Sequence, residues 1–343
     1  MTVADSGDYV IRQTKQRFNY QSGKSHLVVM TGLIGNPSPD TLKRIGYFNS
    51  DTTGDYSTGL DGLLFESNGS SVYVACYKSG TERFRIAQSS WNLDTMDGNG
   101  PSEINIDWTK AQIFFMDFEW LGVGRTRFGL YVNGLPYYVH ENNNANEFEN
   151  VYMSSPNHSL RYEIRSTGGS DSLLHICSSV ASEGGIEEKG SFRSVSTNGA
   201  VTVGNGANEC ILAIRLKDDY DDITAYPVKL RIFNESGNDD LRWYFTQNAT
   251  LTTPLTEGTS FTSLPNSSLE YTIPDDTVTD EGTIVAEGFI TAGGDADASN
   301  TDSAIRMGRK IDGTRDIWYL CVDNFGSTGT SDNRAAISFR ELL

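Results

Sequence analysis

Cysteine, histidine, basic residues and long apolar runs are all scarce in this chain. Four cysteines, Cys76, Cys177, Cys210 and Cys321, stand far apart in 343 residues and form no C-x-x-C pair. That spacing argues against a zinc ribbon and against a disulfide framework, and each cysteine sits in an apolar stretch, which reads as a buried free thiol. The four histidines, His26, His140, His158 and His175, all lie in the first half without ligand-like spacing, so zinc is not expected. No cysteine or serine carries the local signature of a nucleophile. No apolar run approaches membrane-spanning length, and the start, "MTVADSGDYV", lacks a charged-then-apolar pattern. The expectation is a protein that folds in a cytosol without a Sec-type export signal and does not insert into a membrane.

Lys and Arg number 27 against 45 Asp and Glu, a net charge of −18. Through Gly185 there are 14 basic against 20 acidic residues, and after it 13 against 25. Both halves repel phosphate backbones, which argues against nucleic-acid binding through a basic surface. Helical periodicity is missing too: no stretch sustains a 3.6-residue repeat beyond two turns.

What is present is strand after strand. Segments such as "SHLVVMTGLI", "SVYVACYK", "AQIFFMDFEWL" and "SLRYEIRS" alternate or run apolar, and Gly/Asn/Asp/Ser-rich spacers separate them. After "SEGGIEEKG" (182–190) the pattern restarts with "CILAIRL", "YPVKLRIF", "LRWYFTQ" and "DIWYLCV". The reading is all-β: a jelly-roll, lectin-like β-sandwich over residues 1–185 and a smaller β-sandwich over 186–343.

Residues 112–141 read as a three-strand meander. Phe114, Met116, Phe118 and Trp120 share one face of the first strand, with Asp117 and Glu119 on the other. Gly122-Val123-Gly124 is expected to turn the chain so that Glu119 faces Arg127 and Asp117 faces Gly129. Asn133-Gly134 then reads as a two-residue type I′ hairpin pairing Val132 with Leu135, Leu130 with Tyr137 and Phe128 with Val139. The outward face would collect Asp117, Glu119, Arg125, Arg127, Tyr131, Tyr138 and His140, with a hollow at Gly129. Rings that stack on pyranose faces and acids that accept hydroxyl hydrogen bonds suit a sugar.

Two carboxylates on one strand face also suggest a retaining glycosidase, whose carboxyls stand about 5–5.5 Å apart. Asp117 and Glu119 resemble the strand carboxylates of laminarinase-like glycosidases, but Phe115 occupies the place of the first glutamate in the E-x-D-x-x-E pattern. A carboxylate beside an arginine has its pKa lowered, which is wrong for a general acid. The catalytic reading is therefore set below a binding face or a structural ion pair, and no catalytic residue is assigned.

No cofactor is required. Calcium is weighed at Asp295, Asp297, Ser299 and Asp302, where oxygens alternate but Asn300 stands where an EF-type loop needs glycine. It is weighed again at Asp94, Asp97, Asn99 and Glu103, where Met96 interrupts the spacing. The alternative in both places is a solvated turn. "DDYDD" (218–222) reads as a solvated turn as well.

Several blocks, in order, carry a wider resemblance: "VIRQTKQRFNYQSGKSHLVVMTG", "GLLFESNGSSVYVACYKSG", "RIAQSSWNLDTMDGNGPS", "DFEWLGVGRTRFGLYVNG" and the terminal "AAISFRELL". Together they resemble a family of virion structural proteins of tailed, mainly marine, bacteriophages. The resemblance implies a non-enzymatic fibre, capsid-decoration or tail-appendage protein, trimeric, made in the host cytoplasm and placed on the virion beside other capsid or tail proteins. It transfers no catalytic residues. The alternative is a carbohydrate-binding module attaching to host surface glycans through Asp117, Glu119, Arg127, Tyr131, Tyr138 and His140, and below that a glycosidase on the same face.

Overall fold

The computed structural model describes residues 1–51, 58–185, 187, 190–220, 222–237, 240–255, 260–299, 305–326 and 329–342. Among these, strands joined by turns make up the chain, with one 3₁₀ turn at Gln88–Ser90 and no α-helix. The contacts divide it into two compact units, Met1–Glu187 and Glu188–Leu343, and the division falls inside the Gly/Glu segment.

The first unit opens with β1 (Thr2–Val3), β2 (Tyr9–Gln13), β3 (Ser25–Leu33) and β4 (Thr41–Asn49). A run of hairpins follows: β5 (Asp61–Asn68), β6 (Ser71–Lys78) and β7 (Thr81–Ala87). The meander is β8 (Gln112–Phe118), β9 (Thr126–Val132) and β10 (Leu135–Asn142). β11 (Leu160–Ser166), β12 (Asp171–Ser172) and β13 (Leu174–Glu183) complete it. A front sheet has the order β10-β9-β8-β3-β13, and a back sheet the order β2-β11-β4-β5-β6-β7. Every pairing is antiparallel.

Alternation explains the sandwich. "FFMDF" sends Phe114, Met116 and Phe118 inward, and "LRYEIRS" does the same with Leu160, Tyr162 and Ile164. These meet Ile45, Tyr47, Leu63, Phe65, Val74 and Phe84 in one core between the sheets. Phe65 of the back sheet lies 5.0 Å from Phe114 and 5.5 Å from Phe128 of the front sheet, ring centre to ring centre.

The second unit begins with β14 (Ser191–Ser196), β15 (Val201–Val203), β16 (Asn208–Leu216), β17 (Thr224–Ser236) and β18 (Leu241–Gln247). Short strands follow: β19 (Thr250–Leu251), β20 (Thr262–Ser263), β21 (Leu269–Thr272) and β22 (Asp276–Asp280). It ends with β23 (Thr283–Ile290), β24 (Asp295–Ser299), β25 (Trp318–Asp323) and β26 (Ser331–Leu342). One sheet runs β14-β26-β17-β24 with β15 also on β26. The other runs β19-β22-β16-β25-β18-β23, with β21 on β16 and β20 on β21. Leu230, Ile232, Ile337 and Phe339 of the first sheet pack with Leu212, Ile214, Trp243, Phe245, Leu320 and Val322 of the second. This is a second β-sandwich, and the expected all-β class holds for both units.

Two details of the meander depart from the sequence reading. Asp117 pairs with Arg127 and Phe115 with Gly129, two residues away from the expected register. The cause is the turn: residues 119–125 form a longer loop with Leu121 (φ 39°) and Gly122 (φ 73°) in the left-handed region. Donors from a distant segment pin that loop. Tyr152 N–H donates to the Gly122 carbonyl (3.0 Å) and Asn144 Nδ2 to that of Gly124 (2.6 Å). A shift of two preserves which face each side chain takes, so only the partners change.

The Asn133-Gly134 hairpin pairs Val132 with Leu135 and Leu130 with Tyr137, both central residues having positive φ (52° and 80°). Beyond Tyr138 a bulge intervenes, and Phe128 pairs with His140 rather than Val139. A bulge inserts one residue and reverses the alternation after it.

Candidate functional site

The outward face of the front sheet is built from alternate residues of β8, β9 and β10. Asp117 is buried there. Its Oδ2 accepts hydrogen bonds from the Arg127 guanidinium and from the Tyr138 hydroxyl, the latter at 3.0 Å. Arg127 lies over the Tyr138 ring, 4.3 Å from its centre, and keeps 28% of its side chain exposed. Burial, and next the Asp117 carboxylate, raise the Tyr138 phenol above its ordinary pKa, so it donates rather than ionises.

The hollow expected at Gly129 is filled from within the sheet. Phe115, directly opposite, is 1% exposed although it points outward, and a Cβ on Gly129 would stand 2.1 Å from its Cζ. Its ring touches Tyr131 (centres 5.0 Å apart) and Tyr138 (5.1 Å). Both tyrosine rings are inclined to it, by 56° and 80°, so the face is a filled aromatic cluster edged by a guanidinium, not a pit.

Of the remaining candidates, Tyr131 lies on this face beside Phe115, half-buried. Glu119 falls beyond the end of β8, in the turn, so it does not share strand alternation with Asp117. Arg127 is paired with Asp117 and not with Glu119. His140 leaves the face altogether. The bulge turns it inward, where Nδ1 accepts the Asn92 N–H (3.2 Å), its ring lies 6.4 Å from Phe84, and burial lowers its pKa. Glu141 takes the register position opposite Arg127 and lies 3.6 Å from Arg125. Phe115 and Glu141 were not among the sequence candidates. Phe115 was hidden by its apolar character, and Glu141 by a bulge with no sequence signal.

Asp295, Asp297 and Ser299 fall on β24, opposite Phe233, Arg231 and Lys229 of β17, and Asp302 lies outside the described residues. The Asp297 carboxylate is held by Lys229 (3.0 Å) and Arg231 (2.9 Å), and the Lys229 hydrogen bond is the main cause of its lowered pKa. Two cations on one carboxylate oppose a third, divalent one. Asp295 and Asp297 border an open groove of about 570 Å³ with Arg231, Phe233, Arg334 and Asn198. In the 91–103 loop, Asp94 accepts the Met96 and Ser102 N–H groups, both at 2.9 Å, and Asp97 accepts from the Thr95 hydroxyl and the Asn99 N–H. These carboxylates shape their own turn. Among the described residues no group of three or more His, Cys, Asp or Glu is placed to hold a metal ion.

The back sheet carries charges that the sequence reading passed over. Across its outward face Arg161 bonds Glu163 (2.7 Å), Glu163 bonds Arg44 (2.8 Å), Arg44 bonds Glu66 (2.7 Å) and Glu66 bonds Arg85 (2.6 Å). Tyr9 donates to Glu163 (2.8 Å), and Arg85 caps the Tyr73 ring at 3.4 Å. Glu66 and Glu163 are each 2% exposed. Burial works against the Arg44 charge, but Glu163 and Glu66 outweigh it and raise its pKa.

No family model and no curated protein matches the chain. Among solved structures it is similar to a legume lectin-like domain from Entamoeba histolytica, at 11% identity, over 54% of this chain and 82% of that one, with a TM-score of 0.27. A second likeness is to the infectious bursal disease virus VP2 subviral particle, at 9% identity, over 96% of this chain and 67% of that one, with a TM-score of 0.14.

Proposed function

We propose that this protein is a carbohydrate-binding β-sandwich protein that engages glycans through the outward face of its front sheet. One observation carries the reading: Arg127 is anchored by Asp117 and laid on Tyr138, next to the Tyr131–Phe115 ring pair. A planar guanidinium beside fixed aromatic rings offers bidentate donors and a stacking surface with little left to order on binding. Asp117 serves as the anchor and Tyr131, Tyr138 and Arg127 as the contact groups. The glycosidase alternative loses its geometric basis here, because Glu119 lies outside the strand alternation and the Asp117 oxygen is committed to Arg127 and Tyr138.

A glycan array with the full chain tests this, with Tyr131→Ala and Arg127→Lys as controls. The expected result is retention of at least one glycan class, weakened about tenfold or more by either substitution, about the effect of losing 1.4 kcal/mol. Absence of any glycan signal, or binding indifferent to both substitutions, overturns it.

A second reading is the virion component implied by the sequence resemblance, self-associating and carrying the glycan site outward. Exposed aromatic side chains in the second unit favour it. Phe289 is 71% exposed, and its ring lies 6.0 Å from that of the exposed Phe325, with Phe192 exposed as well. Light scattering of the full chain tests it. A trimer is expected, and a monomer at all concentrations counts against it.

A further inference from the structure

The second unit brings together two cysteines that the sequence separates. β16 and β25 pair antiparallel with Cys210 directly opposite Cys321, followed by Leu212 opposite Leu320. The offset comes from a bulge at Ile211. Without it, Cys210 would share a face with Leu212 and point into the sandwich core. With it, Leu212 and Leu320 face that core, while Cys210 and Cys321 face the other side of the sheet, beside Ala213, Tyr244 and Tyr319. Both cysteines are fully buried. Tyr244 stands opposite Cys321 on the next strand, so the thiol pair is walled by the sheet and by a ring.

Directly opposed residues in an antiparallel pair have Cα atoms about 4.5–5.5 Å apart. A disulfide spans Cα separations of about 4.4–6.8 Å, so this register already meets its main requirement. We infer that Cys210 and Cys321 form a cross-strand disulfide-forming site, closed when the chain folds or opens in the presence of a small-molecule disulfide. The Cys210 thiolate attacks one sulfur of oxidised glutathione and releases one glutathione thiol. The Cys321 thiolate then attacks the Cys210 sulfur of the mixed disulfide and releases the second. Two protein thiols are oxidised, one glutathione disulfide is reduced, and the two thiol protons end on the two glutathione thiols. Full burial of both sulfurs places the reaction before the sheet seals or during its transient opening. The bond would tie together neighbouring strands of the second sheet of the second unit, and it does not depend on the glycan reading.

The test uses the full chain carrying Cys177→Ser, which removes the exposed thiol. It is produced in a host with an ordinary cytoplasm and in one with an oxidising cytoplasm. Both products are unfolded, alkylated and weighed, and the peptides are mapped. The reduced product is expected to take adducts on Cys76, Cys210 and Cys321. The oxidised one takes an adduct on Cys76 alone, shows a Cys210–Cys321 linked peptide, and has a higher denaturation midpoint than the reduced form. Soluble oxidised chain with all three thiols free, or a link that includes Cys76, overturns the inference. So does a chain soluble under oxidising conditions only after Cys210→Ala, since the bond would then be incompatible with the sheet.

Discussion

The two outward faces of the first unit use the same ingredients to opposite ends. On the back sheet five charged side chains, Arg161, Glu163, Arg44, Glu66 and Arg85, run in alternating sign across the strands, and all but the terminal Arg85 are buried. On the front sheet Asp117 meets Arg127, and the arginine stays partly in water above the Tyr138 ring. The back face is closed on itself, with every oxygen of Glu66 and Glu163 engaged by a guanidinium or a hydroxyl. The front face has donors and ring surface left over. A charged residue facing outward in a strand is thus not yet a binding residue. What separates the two faces is whether the partner is already inside the chain.

The most forceful way to break this comparison is to open the back face. Glu163→Ala removes the anion shared by Arg44 and Arg161 and leaves two buried guanidiniums short of a counter-charge. A loss of about 3–5 kcal/mol is expected, read by urea unfolding, with hydrogen exchange of β4 and β11 assigning the loss to this sheet. Joint replacement of all five, Arg161, Glu163, Arg44, Glu66 and Arg85, by apolar residues of similar size is expected to cost less than the single change, because no charge of that row is left stranded.

A second measurement separates the inner side of the front sheet from both outer faces. His26 pairs with Phe118 and packs against Tyr20 (5.4 Å), Phe118 (5.7 Å) and Tyr47 (6.1 Å), and burial pushes its pKa down to about 4. Unfolded, it titrates near 6.5, so the unfolded chain takes up its proton first. Its contribution is complete above about pH 6.5 and is lost as the pH falls towards 4, by at most about 3 kcal/mol. His26→Leu is expected to flatten the stability profile across that window, and an unchanged slope would assign the acid sensitivity elsewhere.

The third probe fills the front face from below. In Gly129→Ala the new methyl meets Phe115 Cζ at 2.1 Å and the Tyr137 carbonyl at 2.6 Å. A cost of about 1–3 kcal/mol is expected from the forced shift. Because Phe115 supports Tyr131 and Tyr138, glycan binding should fall with it.

How far the sequence reached can be read on particular residues. "LRYEIRS" and "FFMDF" declare their inward faces through alternation alone, and Asn133-Gly134 declares its hairpin because few residue pairs tolerate two positive φ values in succession. Local chemistry ends there. The 119–125 turn is shaped by Tyr152 and Asn144, which arrive from later in the chain, and the bulge that moves His140 inward and Glu141 outward has no local signature. Arg44 and Glu163 look like two unrelated surface charges until β4 and β11 pair. The same holds for Cys210 and Cys321, whose meeting needs a register and a bulge together. Side-chain direction is a local property, whereas partnership across strands is not.

The smallest expected effect is the most discriminating. Asp117→Asn keeps the size of the side chain and an oxygen for Arg127, and Arg127 is already part-solvated, so its stability cost should stay within about 1 kcal/mol. The guanidinium nevertheless loses its charged anchor and part of its hold above Tyr138. If the front face is a prepared binding surface, this substitution weakens glycan retention far more than it weakens the fold, the reverse of Glu163→Ala. A stability loss as large as that of Glu163→Ala, with glycan retention unchanged, would make the front pair one more closed structural bridge and erase the distinction between the two faces.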